Sequence, residues 1–119
     1  MSDEFIKVAT KEIQEDIHEL EKTLSTCDSD DDLILNASKF QKHTHKIKGL
    51  APMMGNDALG NLASLLDSVF KKIPTRSNVD GVLEILIGII PSMTFLLNEP
   101  DSDIDKVVER ITLIEKILN

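Results

Sequence analysis

Apolar residues recur every three or four positions along nearly the whole chain and nowhere alternate with polar ones over a useful length. This spacing follows the 3.6-residue turn of an α-helix and excludes half-buried strands, whose side chains alternate with period two. In residues 3–26, Ile6, Ala9, Ile13, Ile17, Leu20 and Leu24 share one face. In residues 31–54, Leu33, Ala37, Phe40, Thr44, Ile47, Ala51 and Met54 alternate steps of four and three, a bundle-type seam. Leu59, Leu62, Leu66, Val69, Phe70 and Ile73 continue the pattern through residues 57–73.

The breaks are equally readable. The acidic turn at residues 27–32 offers Ser29 or Asp30 as an N-cap for the second helix. Pro52 should kink that helix or end it early. Gly55 suits the position just past its end, and Asn56 or Asp57 can cap the third helix. Residues 74–78 read as a loop. Residues 79–98 are apolar on most sides, so this fourth helix is either deeply packed or presents a sticky face, and Pro91 should kink it. A turn at 99–103 precedes a final amphipathic helix over 104–118, with Ile104, Val107, Val108, Ile111, Ile114 and Leu118 on its face. The expected fold is all-α, a single domain over residues 1–119. Four helices form an antiparallel up-and-down bundle, and a fifth, C-terminal helix packs alongside.

A formal charge of −8 argues against nucleic acid as a partner, because phosphate binding wants a basic face. With no Trp or Tyr and four Phe, platforms for base stacking are scarce. The most apolar run, 82–97, is interrupted by Glu84, Gly88 and Pro91 and falls short of the about 20 residues a membrane span needs. A lone cysteine, Cys27, leaves no internal disulfide. Charge begins at residue 3, unlike a signal peptide. The expectation is a cytoplasmic protein with no membrane insertion.

Against this acidic background, residues 33–56 contain no Asp or Glu, and the segment KFQKHTHKIKGLAPMMGN (39–56) carries four lysines and two histidines. At about 100° per residue, His45 lies roughly 130° from the centre of the seam and faces out. Gln41, Lys42, Lys48, Gly49 and Pro52 are its surface neighbours. His43 lies on the other flank, at the edge of the seam, as a partly buried residue, and His18 reads as a surface residue. His43 and His45 project about 200° apart and have no further ligand at metal spacing, so no metal site is expected. Gly49, one turn after His45, costs a helix about 1 kcal/mol against alanine and so calls for a reason. Close approach of another protein to His45 is one. Lys48 and the local positive patch suit an anion-bearing ligand.

These residues resemble a known family. HKIKG (45–49) fits the H-x-x-K-G motif of histidine-containing phosphotransfer (Hpt) domains. The longer run THKIKGLAPMMG with LASLLDSVF, the first helix and the five-helix layout are similar to the N-terminal phosphotransfer domain of the chemotaxis histidine kinase CheA, its archaeal type included. The resemblance covers nearly the whole chain. It implies that His45 is the phosphorylated histidine, that Lys48 helps hold the phosphoryl group, and that Gly49 clears space for the partner, with Gln41, Lys42 and Ser64 on the approach surface. The family's orienting glutamate falls on Asp67 here, and the histidine three residues before it falls on Ser64. Both are departures: aspartate is one methylene shorter, and serine supplies no second imidazole. On the third helix Asp67 stands roughly 110° from the apolar centre, on a flank that can face the second helix.

The chemistry implied is a relay. Asp67 would accept the Nδ1–H of His45, leaving Nε2 free to attack the γ-phosphorus of ATP held by a separate CheA-type kinase domain. The phosphoryl group would then pass to an aspartate of a CheY- or CheB-type receiver domain. Magnesium would come with the kinase or the receiver. This chain has neither a P-loop nor a glycine-rich nucleotide motif, so it is expected to bind no cofactor itself and not to be a self-sufficient enzyme. The competing reading is a helical docking module that uses the apolar fourth helix. A phosphotransfer domain that docks receivers without being phosphorylated is less consistent with intact His45, Lys48 and Gly49, and a metal-dependent enzyme less still. Either a free-standing protein or the front end of a full kinase fits the sequence.

Overall fold

The computed structural model describes residues 2–119, all of whose regular structure is helical. Helix α1 spans Asp3–Ser25, α2 Asp30–Met53 and α3 Asp57–Lys72, followed by a 3₁₀ turn at Ile73–Thr75. The fourth segment is divided into α4 (Val82–Ile89) and α5 (Ser92–Asn98), and α6 runs Asp105–Leu118. The bundle measures 45 × 25 × 20 Å.

Each boundary has a local chemical cause. Ser29 caps α2, its hydroxyl accepting from Asp32 N at 3.2 Å. Pro52 is tolerated inside the last turn, and the helix stops one residue later. Gly55 then takes a left-handed φ of 83° that a side chain would resist. Asn56 caps α3 through Oδ1 to Leu59 N at 3.0 Å, while its Nδ2 donates to Leu96 O at 2.9 Å, tying the α2–α3 turn to the end of α5. The fourth segment starts three residues later than the sequence pattern suggests, because Gly81 adopts φ 89°. The free N–H groups there reach the carboxylate of Asp30 (Gly81 N and Leu83 N, both 3.4 Å), which places the starts of α2 and α4 at the same end. Pro91 does more than kink this segment: it sits between two separate helices.

Helix α2 lies between α1 and α3 and also meets α4, while α6 packs on α3 and α4. Helices α1 and α2, α2 and α3, and α4 and α6 pair antiparallel, while α4 and α5 follow one another in the same direction across Pro91. His43 meets Asp16, Gln41 meets Asp67, and Arg110 Nη1 donates to Gly88 O. All six seam residues of α3 and its 3₁₀ extension are buried, as are Leu33, Ala37, Phe40, Thr44, Ile47 and Ala51 of α2. Phe40 and Phe70 stack at the centre, ring centroids 4.9 Å apart and 8° from parallel. The α4–α5 segment is mainly core: Val82, Leu86, Ile89, Ile90, Met93 and Leu96 are buried, and Ile87 and Phe95 are the exposed large apolar side chains on it.

Helices α2 and α3 approach each other closely where Gly60 passes Pro52. A Cβ on Gly60 would stand 2.7 Å from the Pro52 Cγ, and a proline ring cannot swing away. Gly60→Ala is therefore expected to destabilise the bundle by about 1–3 kcal/mol through overpacking, despite alanine's better helix propensity. Urea denaturation of the two proteins checks this.

Candidate functional site

The α2–α3 contact places a carboxylate beneath an exposed imidazole. Asp67, on the inner flank of α3, is 1% exposed, whereas the His45 side chain on α2 is 61% exposed. His45 Nδ1 lies 3.5 Å from Asp67 Oδ1. This is an electrostatic contact, longer than an N–H···O hydrogen bond. The same Oδ1 accepts a hydrogen bond from Gln41 Nε2 at 2.7 Å. Asp67 Oδ2 faces Lys71 Nζ at 3.2 Å and Lys48 Nζ at 3.5 Å. One buried carboxylate thus organises four polar side chains from two helices.

Burial by itself would push the Asp67 carboxyl up. The hydrogen bonds from Gln41 and Lys71, with the positive charges of Lys71 and Lys48, outweigh it and hold the carboxyl below its ordinary value of 3.8. Asp67 is therefore ionised at neutral pH and can only accept, which favours hydrogen on the His45 nitrogen that faces it. A depressed folded-state value means that ionised Asp67 contributes stability fully above its unfolded value, near pH 3.8, and loses it as pH falls through the lower folded value. Asp67→Asn is expected to remove this part of the acid sensitivity. Its stability should fall less than the wild type's between about pH 6 and about pH 2.5, as read from denaturant midpoints across that range.

Most of the residues singled out from the sequence gather here. Lys48 is half-buried against Asp67, Lys42 is exposed, and Ser64 is half-buried one turn before Asp67 on α3. Gly49 is exposed, and a Cβ there would meet nothing within 4 Å, so packing does not demand the glycine. Gln41 differs from expectation: it is half-buried, and its amide is turned inward to Asp67 instead of toward an approaching partner. Lys71 was not among the sequence candidates. Its signal is the i,i+4 spacing from Asp67, which is informative only once Asp67 is known to be buried.

The other flank of α2 carries a second histidine–aspartate pair. His43 Nδ1 is 2.8 Å from Oδ1 of Asp16 on α1, and Lys46 Nζ is 3.2 Å from the same oxygen. Asp16 is 2% exposed. The sequence reading of His43 as a half-buried flank residue agrees with its position, but Asp16 was not recognised as a buried partner. His18 is exposed.

Among the described residues no three His, Cys, Asp or Glu side chains are grouped to hold a metal ion. None of the helices described is long and apolar enough to cross a membrane. Comparison with family models, curated proteins and solved structures finds no match to this chain.

Proposed function

We propose that this chain is a phosphotransfer module of the Hpt type, in which His45 receives a phosphoryl group at Nε2 from the ATP site of a partner histidine kinase and passes it to a receiver-domain aspartate. The observation that carries this reading is the exposed His45 imidazole with its Nδ1 over the buried, ionised carboxylate of Asp67. Holding the proton at Nδ1 leaves the Nε2 lone pair as the nucleophile. In the first step the Nε2–P bond forms and the bond from the γ-phosphorus to the bridging oxygen of ATP breaks, releasing ADP. The proton stays on Nδ1, and Asp67 balances the positive charge of the phosphorylated ring. Lys48 stands beside the same carboxylate and offers an ammonium to the phosphoryl oxygens. ATP and magnesium belong to the kinase, and magnesium to the receiver in the return step.

The docking-module alternative is less well supported, because most of the apolar surface of α4 and α5 is inside the core.

The test is incubation with ATP, magnesium and a CheA-type kinase core. The expected product is an acid-labile, base-stable phosphoryl group that is absent from His45→Gln. Equal labelling of that variant would overturn the assignment of His45. Gly49→Ala gives a separate check on partner approach. With open space around the new methyl, thermal unfolding should show a gain of about 1 kcal/mol. The initial rate of transfer from the kinase core should fall, because the methyl stands one turn from His45 on the approach surface.

A further inference from the structure

The motif around His45 is doubled. His43-x-x-Lys46 and His45-x-x-Lys48 interleave on α2, offset by two residues, and therefore face opposite neighbours. His45 and Lys48 meet Asp67 of α3, and His43 and Lys46 meet Asp16 of α1. In both, a buried carboxylate stands at Nδ1 of the imidazole and a lysine three residues on shares it. The Asp16 pair is the tighter, 2.8 Å against 3.5 Å.

We infer that His43 is a second nucleophilic histidine, oriented by Asp16 and able to take a phosphoryl group at Nε2. Asp16 Oδ1 stands 2.8 Å from Nδ1, a distance at which a carboxylate oxygen accepts, so in the neutral ring with hydrogen at Nδ1 the lone pair is at Nε2. That nitrogen is open: it makes no hydrogen bond among the described residues, yet the only buried unpartnered side-chain nitrogen or oxygen among them is Asp16 Oδ2. His43 lines a groove of about 570 Å³ between α1 and α2, whose walls carry Lys11, His18 and Lys46 together with the carboxylates of Glu15, Asp16 and Glu19. Lys46, whose side chain is 47% exposed, can turn its ammonium from Asp16 to an incoming anion. The His43 side chain is only 13% exposed, so the site suits a small donor better than a docked protein domain. The choice of a phosphoryl group as electrophile rests on the function proposed for His45.

A small N–P donor tests the two histidines independently of any kinase. With phosphoramidate, the Nε2–P bond forms as the donor's P–N bond breaks and ammonia leaves with a proton. Intact-mass and 31P NMR measurements should show two phosphohistidines on the wild-type chain and one on His45→Gln. None should appear on the His43→Gln/His45→Gln double variant, and Asp16→Asn/His45→Gln should lose most of the remaining label. A His45→Gln chain that takes no label while His43→Gln does would overturn the inference and leave the His45 reading standing. The reverse pattern would sink the His45 reading and keep this one. Label on the double variant would belong elsewhere and overturn the assignment to His43. Independently of folding in the variants, 15N NMR of the wild-type imidazoles should show His43 as the Nδ1–H tautomer, and an Nε2–H tautomer would overturn the proposal.

Discussion

Asp67→Ala is expected to slow phosphoryl uptake by His45 about 100-fold, or about 2.7 kcal/mol of activation free energy, while leaving the helices folded. In the proposed relay the carboxylate sets which nitrogen carries the proton and offsets the charge that develops on the ring during attack. Without it, both tautomers are populated and the phosphorylated imidazolium has no buried counter-charge. The side chains left behind tolerate the loss, because Lys48 and Lys71 are each about half exposed and can turn to water. The 3.5 Å contact, with Oδ1 already accepting from Gln41, puts the effect at the lower end for a proton-positioning group. Asp67→Glu distinguishes orientation from mere anchoring of lysines. Its extra methylene can close the gap to Nδ1, so its rate should stay within a few-fold of wild type or exceed it. Single-turnover rates with saturating kinase core provide the measurement, with circular dichroism as the control for folding. An unchanged rate in Asp67→Ala would make the carboxylate a structural anion only.

The largest stability effect is expected at Phe40. Its ring is fully buried and stacked on Phe70, so Phe40→Ala should cost about 3–5 kcal/mol through lost transfer energy and the cavity left behind. Small domains are stable by about 5–15 kcal/mol, so the variant would stand close to unfolding. Phe40→Leu keeps more of the volume and should cost less. Urea titrations followed by circular dichroism would show the midpoint falling steeply for alanine and less for leucine. The stack also joins α2 to α3 next to Gln41, whose amide reaches Asp67 across the same interface. Loosening it should therefore broaden the NMR signals of the His45 imidazole as well as lower the midpoint.

Several features could be read directly from the chain because they depend on local geometry. The four-and-three spacing of Leu33, Ala37, Phe40, Thr44, Ile47 and Ala51 is the helical repeat itself, and all six are buried. Ser29, Gly55 and Asn56 act as caps for the reasons their side chains or backbone freedom suggest. His45 is exposed because it lies off the seam on the wheel. The fourth segment was less legible. Gly81 moved its start and Pro91 separated it into two helices, and neither effect registers in an apolar pattern that is continuous across both.

The carboxylates mark where local reasoning stopped. Asp16 lies three residues after Ile13 and four before Leu20, within the apolar stripe of α1. The wheel shows this position, but only the packing of α1 against α2 supplies the His43 and Lys46 that make its burial tolerable. Asp67 could be assigned to a flank, whereas its convergence with Gln41, Lys48 and Lys71 depends on how α2 and α3 are set against each other. The sequence by itself determined the helices, their ends and the outward face of His45, because these follow from turn geometry, capping and side-chain type within a few residues. Only the tertiary structure decided which carboxylate meets which histidine. Those contacts join residues 22 to 27 positions apart in the chain, and their energy comes from excluding water between helices that no single helix contains.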